Sequence, residues 1–131
     1  MLISGSQFRV FVSTRPLDMR AGIDRIAAVC KTELGMNPYG GAVFVFFSKD
    51  LSRAKVYYFD GSGSCLFLKR LERGRFKPPR LAAEGLHVTM PANELALLLD
   101  GIDLSEIKRP KARWLPSKTA KDESTQPLAP T

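Results

Sequence analysis

Four carboxylates and a single histidine are the first residues in this 131-residue chain to test for chemistry. Asp18, Asp24, Asp60 and Glu72 would have to converge to hold the Mg²⁺ ions of a metal-dependent nuclease, because two-metal phosphoryl transfer needs clustered oxygen ligands. Their spacing follows no metal-ligand pattern. Asp18 in "STRPLD" and Asp60 in "DGSGS" also have structural duties open to them, as a helix N-cap and a turn residue. His87 is the only histidine, so a structural or surface role fits it better than a metal cluster. Ser62 and Ser64 have no nucleophile-elbow context, and "DGSGS" lacks the lysine and following helix of a phosphate-cradling loop. The chain therefore reads as a non-enzyme, with no catalytic residue, metal or cofactor expected.

Positive charge is the stronger signal. The chain carries +7 overall, but residues 69–80 alone carry +5 and residues 108–121 carry +6, leaving −4 on the rest. A mildly acidic body with two concentrated basic segments favours a polyanionic partner, DNA above all, over basicity spread for solubility. The residues expected to bind it are Lys69, Arg70, Arg73, Arg75 and Lys77 in the first segment, and Arg109, Lys111 and Arg113 in the second. Phe76 lies between Arg75 and Lys77, and Trp114 follows Arg113. Rings among cations can stack on exposed bases or wedge at a distorted step; the alternative, a ring that anchors its loop to the core, is slightly favoured for Phe76, whereas Trp114 in a polar tail is less easily read that way.

The elements that must position these groups follow from hydrophobic periodicity. Phe8, Val10 and Val12 alternate with more polar neighbours and predict a half-buried first strand. Met19, Ile23, Ile26, Cys30 and Leu34 recur at helical spacing, capped by Asp18 and closed by Gly35. "AVFVFF" is apolar on both faces, which places it centrally in a sheet; with "AKVYYF" and "CLFLKRL" it predicts an antiparallel meander. "CLFL" is the buried half of its strand, and "KRLERGRFKPPR" continues it into an exposed basic excursion, since Gly74, Pro78 and Pro79 prevent a regular element. A second helix starts at Thr89 or Met90 and ends at Gly101, its Leu95, Leu98, Leu99 and Ile102 forming a core stripe.

The fold class expected is α+β, a small antiparallel meander sheet packed against one or two helices. One domain spans residues 1–116, and residues 117–131 read as a disordered polar tail. No run is apolar enough for a membrane span and no export signal opens the sequence. Cys30 and Cys65 read as two buried thiols of a reduced cytoplasmic protein, with a disulfide left open.

The order of motifs adds to this. "LDMRAGID", "FVFF", "YYFDGSGSCLFLKRLERGRFKPP", "ALLLDGID" and "KRPKARWLP" together resemble the TnpB accessory proteins of the insertion-sequence-sixty-six family of bacterial transposable elements, over roughly residues 8–116. The matching positions are Asp18, Met19, Arg20, Gly22 and Asp24, then Asp60, Gly61, Lys69, Arg70, Glu72, Arg73, Gly74 and Phe76, then Gly101, Asp103, Arg109, Pro110 and Trp114. Ala21 and Ile23 depart from the family pattern, as does "YYFDG" where a Trp-rich version is usual. The resemblance implies a non-catalytic accessory factor for transposition, working beside a larger catalytic transposase and a sister accessory protein. It implies no catalytic residues. An adaptor that assembles the transposase complex without strong DNA binding of its own is the alternative.

Overall fold

In the computed structural model, which describes residues 8–79 and 85–104, five strands form one sheet with a helix on each face. The chain order is β1 (Arg9–Ser13), α1 (Ile23–Thr32), β2 (Val43–Phe47), β3 (Arg53–Phe59), β4 (Ser64–Arg70), β5 (His87–Pro91) and α2 (Ala92–Leu99). The spatial order is β4-β3-β2-β1-β5. β2, β3 and β4 form the antiparallel meander that their short polar turns predict. β1 and β2 instead run parallel, with Val10 beside Val43 and Val12 beside Val45. Parallel neighbours need a crossover, and α1 supplies it.

Placing helices on opposite faces explains the burial of β1 and β2. Phe11, Phe44, Phe46 and Tyr57 pack with Ile26, Ala27 and Cys30 of α1, while Val10, Val12, Val45, Val56 and Met90 pack with Leu95, Leu98 and Leu99 of α2. β1 is therefore buried on both faces at Val10, Phe11 and Val12, which corrects the half-buried strand expected from its alternation. The "DGSGS" turn is as expected: the Asp60 carboxylate accepts from the backbone N–H groups of Ser62 and Gly63, and Gly61 takes φ +102.

Several element edges differ from the sequence reading. α1 starts at Ile23, with Gly22 as N-cap, because Asp18 is engaged elsewhere: its Oδ1 accepts the Arg20 backbone N–H at 2.9 Å in a local turn. Gly35 does close the helix, at φ +66, with the Met36 N–H reaching the Cys30 carbonyl. α2 begins only at Ala92, because Thr89 and Met90 still pair with β1. Ile102, past the end of α2, is 48% exposed and leaves the core stripe. β4 is an edge strand, so "CLFL" is half-covered and Leu68 is 55% exposed. Both cysteines are free; Cys30 is buried, its thiol pushed up to about 12 by burial, whereas Cys65 is only half-buried. No helix among the described residues is long and apolar enough to cross a membrane.

Candidate nucleic-acid interface

The register of the sheet decides which cations meet. Ser13 at the end of β1 pairs with His87 at the start of β5, Phe47 at the end of β2 pairs with Ala54, and Arg53 at the start of β3 pairs with Arg70 at the end of β4. Arg15, Lys49, Arg53 and the 69–77 segment therefore emerge at one end of the sheet. Arg20 and Arg25 join them through the loop between β1 and α1, which lines one cavity with Ser13 and Arg15.

The excursion after β4 is held in shape by the β2–β3 turn. Leu71 and Phe76 donate their backbone N–H groups to the carbonyls of Ser52 and Leu51, at 3.0 and 2.8 Å. The turn is organised by Asp50, which accepts from the Ser48 and Ser52 hydroxyls and the Ser52 backbone N–H. These bonds, that of the Ser52 hydroxyl foremost, lower the Asp50 carboxyl to about 2. Gly74 turns the excursion at φ +74, and the Phe76 side chain enters the core beside Phe47, with ring centroids 5.4 Å apart. Phe76 is 0% exposed. It is an anchor, and its expected role of stacking on bases is corrected: a ring wholly enclosed by protein offers no face to a base.

Burial separates Phe76 from the cations, and ion pairing separates the cations from one another. Lys69 lies 3.7 Å from Asp100, Arg70 lies 3.2 Å from Glu72, and Arg75 donates to the Asp50 carbonyl at 3.2 Å with the Asp50 carboxylate 4.0 Å away. Arg20 clasps Asp18, its Nη2 at 2.8 Å and its Nε at 3.1 and 3.2 Å; the Arg20 hydrogen bond holds that carboxyl well below the usual range. Arg73 and Lys77 form no ion pair among the described residues, and neither do Arg15, Arg25, Lys49 and Arg53. The sequence singled out Arg73 and Lys77, passed over Arg15, Lys49 and Arg53, and read Arg25 as part of a solvated helix face. The available signal was that "STRP", "SKD" and "LSR" each sit at the end of a strand whose pairing brings them together. Arg109, Lys111, Arg113 and Trp114 lie outside the described residues, as does the 117–131 tail.

The carboxylates considered for a nuclease do not converge. Asp18 is bonded to Arg20, Asp60 to its own turn and Glu72 to Arg70. Among the described residues no group of three or more His, Cys, Asp and Glu side chains is placed to hold a metal ion. His87 is half-buried edge-on to Phe11, its Nδ1 buried without a hydrogen-bond partner among the described residues. It packs in the structural setting that the sequence reading allowed, and desolvation lowers its pKa.

Comparison with known proteins gives this geometry a setting. The family model described as "IS66 Orf2 like protein" matches residues 8–109. The chain is similar to two uncharacterized proteins of Sinorhizobium fredii (strain NBRC 101917 / NGR234). One, y4hO, is 42% identical over 118 residues, covering 90% of this chain and 98% of the relative. The other, y4jC, is 38% identical over 112 residues, covering 86% and 93%. No solved structure matches the chain.

Proposed function

This chain belongs to the family of IS66 Orf2 like proteins, and from that premise we propose that it is a transposition accessory factor that grips DNA through the basic end of its sheet. The observation that carries the reading is the gathering of Arg15, Arg25, Lys49, Arg53, Arg73 and Lys77, drawn from separate segments, at one end and outside every ion pair formed there among the described residues. Phosphate recognition needs cations whose field is not cancelled locally, and it needs no base-edge readout. Neutralising six phosphates corresponds to a slope of roughly −5 in log affinity against log salt on duplex DNA.

The test is a titration of duplex DNA at several salt concentrations, followed by fluorescence anisotropy. A slope near that value supports the reading; an affinity indifferent to salt overturns it. The second reading is an adaptor whose basic end meets an acidic surface of the larger transposase or a sister accessory protein. It draws on the Lys69–Asp100, Arg70–Glu72 and Arg75–Asp50 pairs, which alternate the two signs as a protein interface does. In that case the protein co-purifies with its partner and binds DNA feebly.

A further inference from the structure

Between the 13–22 loop and one stripe of α1 lies a cavity of about 450 Å³, within the range of small-molecule sites. Arg25, Val29 and Glu33 follow one another along that stripe at spacings of four; Pro16, Leu17 and Ala21 of the loop supply the accessible apolar lining, with the buried Val29 and Phe46 forming the floor behind it. Its cations, Arg15, Arg20 and Arg25, are all arginines. Arg20 is committed to Asp18, which stays ionised because Arg20 donates to it. Arg15 and Arg25 form no ion pair among the described residues, so two open guanidinium groups face the cavity's loop end. Glu33 stands eight residues beyond Arg25, about 12 Å along the helix axis at 1.5 Å per residue.

We propose that this cavity takes one unstacked nucleotide, with its phosphate on Arg15 and Arg25, its base against Pro16, Leu17 and Ala21, and a base N–H edge toward Glu33. Guanidinium forks match phosphate oxygens two at a time, which a lysine cannot do. The apolar lining suits a base, whose faces are apolar and whose edge carries N–H donors. A carboxylate accepts from such an edge, as acidic side chains do from the cytosine amine. An acidic peptide fits less well, because its side chains would bring carboxylates against Asp18 and Glu33 without offering them donors.

The inference rests on reading the basic end as a nucleic-acid surface, and the probes separate the two. Amide resonances of the full chain are followed by NMR during titration with 5′-dCMP, inorganic phosphate and a penta-aspartate peptide. The expected result is that dCMP shifts residues 17–22, Arg25, Val29 and Glu33, and that phosphate binds more weakly without moving Glu33. Arg25→Ala, at an exposed position, weakens dCMP by about tenfold, the effect of one charged hydrogen-bond donor. Absence of shifts at millimolar dCMP, shifts confined to residues 69–77, or equal shifts with the peptide each overturn the nucleotide site. Duplex binding on the same sample completes the separation. A duplex that binds while dCMP leaves the cavity unshifted overturns this site alone; dCMP binding without duplex binding supports it and overturns the broader surface.

Discussion

Two loops leave the basic end of the sheet over opposite faces, and they are built on opposite principles. The 71–77 excursion is pinned by an apolar plug: Phe76 is sealed in the core against Phe47, and nearby cations are clasped by Asp50, Glu72 and Asp100. The loop from Arg15 to Gly22 is pinned by a charge. Lys55, buried on β3, donates its ammonium protons to the carbonyls of Met19 and Ala21 at 2.8 and 2.6 Å. Arg15 in that loop and Arg25 just inside α1 form no ion pair among the described residues. The comparison teaches that a dense run of basic residues is a poor guide to surface charge. Three of the run's cations, Lys69, Arg70 and Arg75, meet acids, whereas among the described residues Arg73 and Lys77 of the run and the scattered Arg15, Arg25, Lys49 and Arg53 form no ion pair.

The sharpest break of the comparison is at the plug. Phe76→Ala removes a fully buried ring and should cost about 3–5 kcal/mol, seen as a lower urea midpoint for the whole domain. Lys55→Met tests the other anchor. It leaves two carbonyls without their donor, at about 1–3 kcal/mol, and hydrogen exchange should quicken in residues 17–22 while the 71–77 amides stay protected. Equal loosening of both loops would contradict the distinction.

The meander was legible because "AVFVFF", "AKVYYF" and "CLFLKRL" carry strand patterns and "DGSGS" supplies a turn with a mechanism. The parallel β1–β2 pair was not, since nothing local in either strand records its neighbour's direction. The same non-local fact hid the site: Arg15, Lys49 and Arg53 become neighbours only through register. Burial of Phe76 was only partly legible in the sequence, because a ring between two cations reads as an anchor with only slight preference over a stacking platform. Asp18 misled through its good capping chemistry, which is used two residues on by Arg20 and not by the helix.

Titration probes the comparison more gently. The folded pKa of Asp50 is depressed, so the stability it lends the excursion's supporting turn is fully present above the unfolded carboxyl value near 4 and is lost as pH falls through about 2. Asp50→Asn should therefore lower the urea midpoint at pH 6 and lower it by much less at pH 2, where the carboxyl is about half protonated in the fold. His87 follows the same sign on the imidazole scale. Its folded pKa is lowered, so its contribution is full above about 6.5 and declines as pH falls and the unfolded chain takes up the proton first. His87→Leu should flatten the stability profile between pH 7 and 5.

The central claim is that the unpaired cations, and not the conspicuous run as such, make the polyanion surface. It is tested most directly by comparing salt slopes for duplex DNA in two variants. Removing two whole ion pairs, with Lys69→Ala, Asp100→Ala, Arg70→Ala and Glu72→Ala together, deletes two cations at constant net charge. Removing Arg53 and Lys77, as Arg53→Ala with Lys77→Ala, deletes two cations that form no ion pair among the described residues. The account predicts an unchanged slope for the first variant and a slope shallower by roughly 2 for the second. A first variant that flattens the slope as much as the second would contradict it.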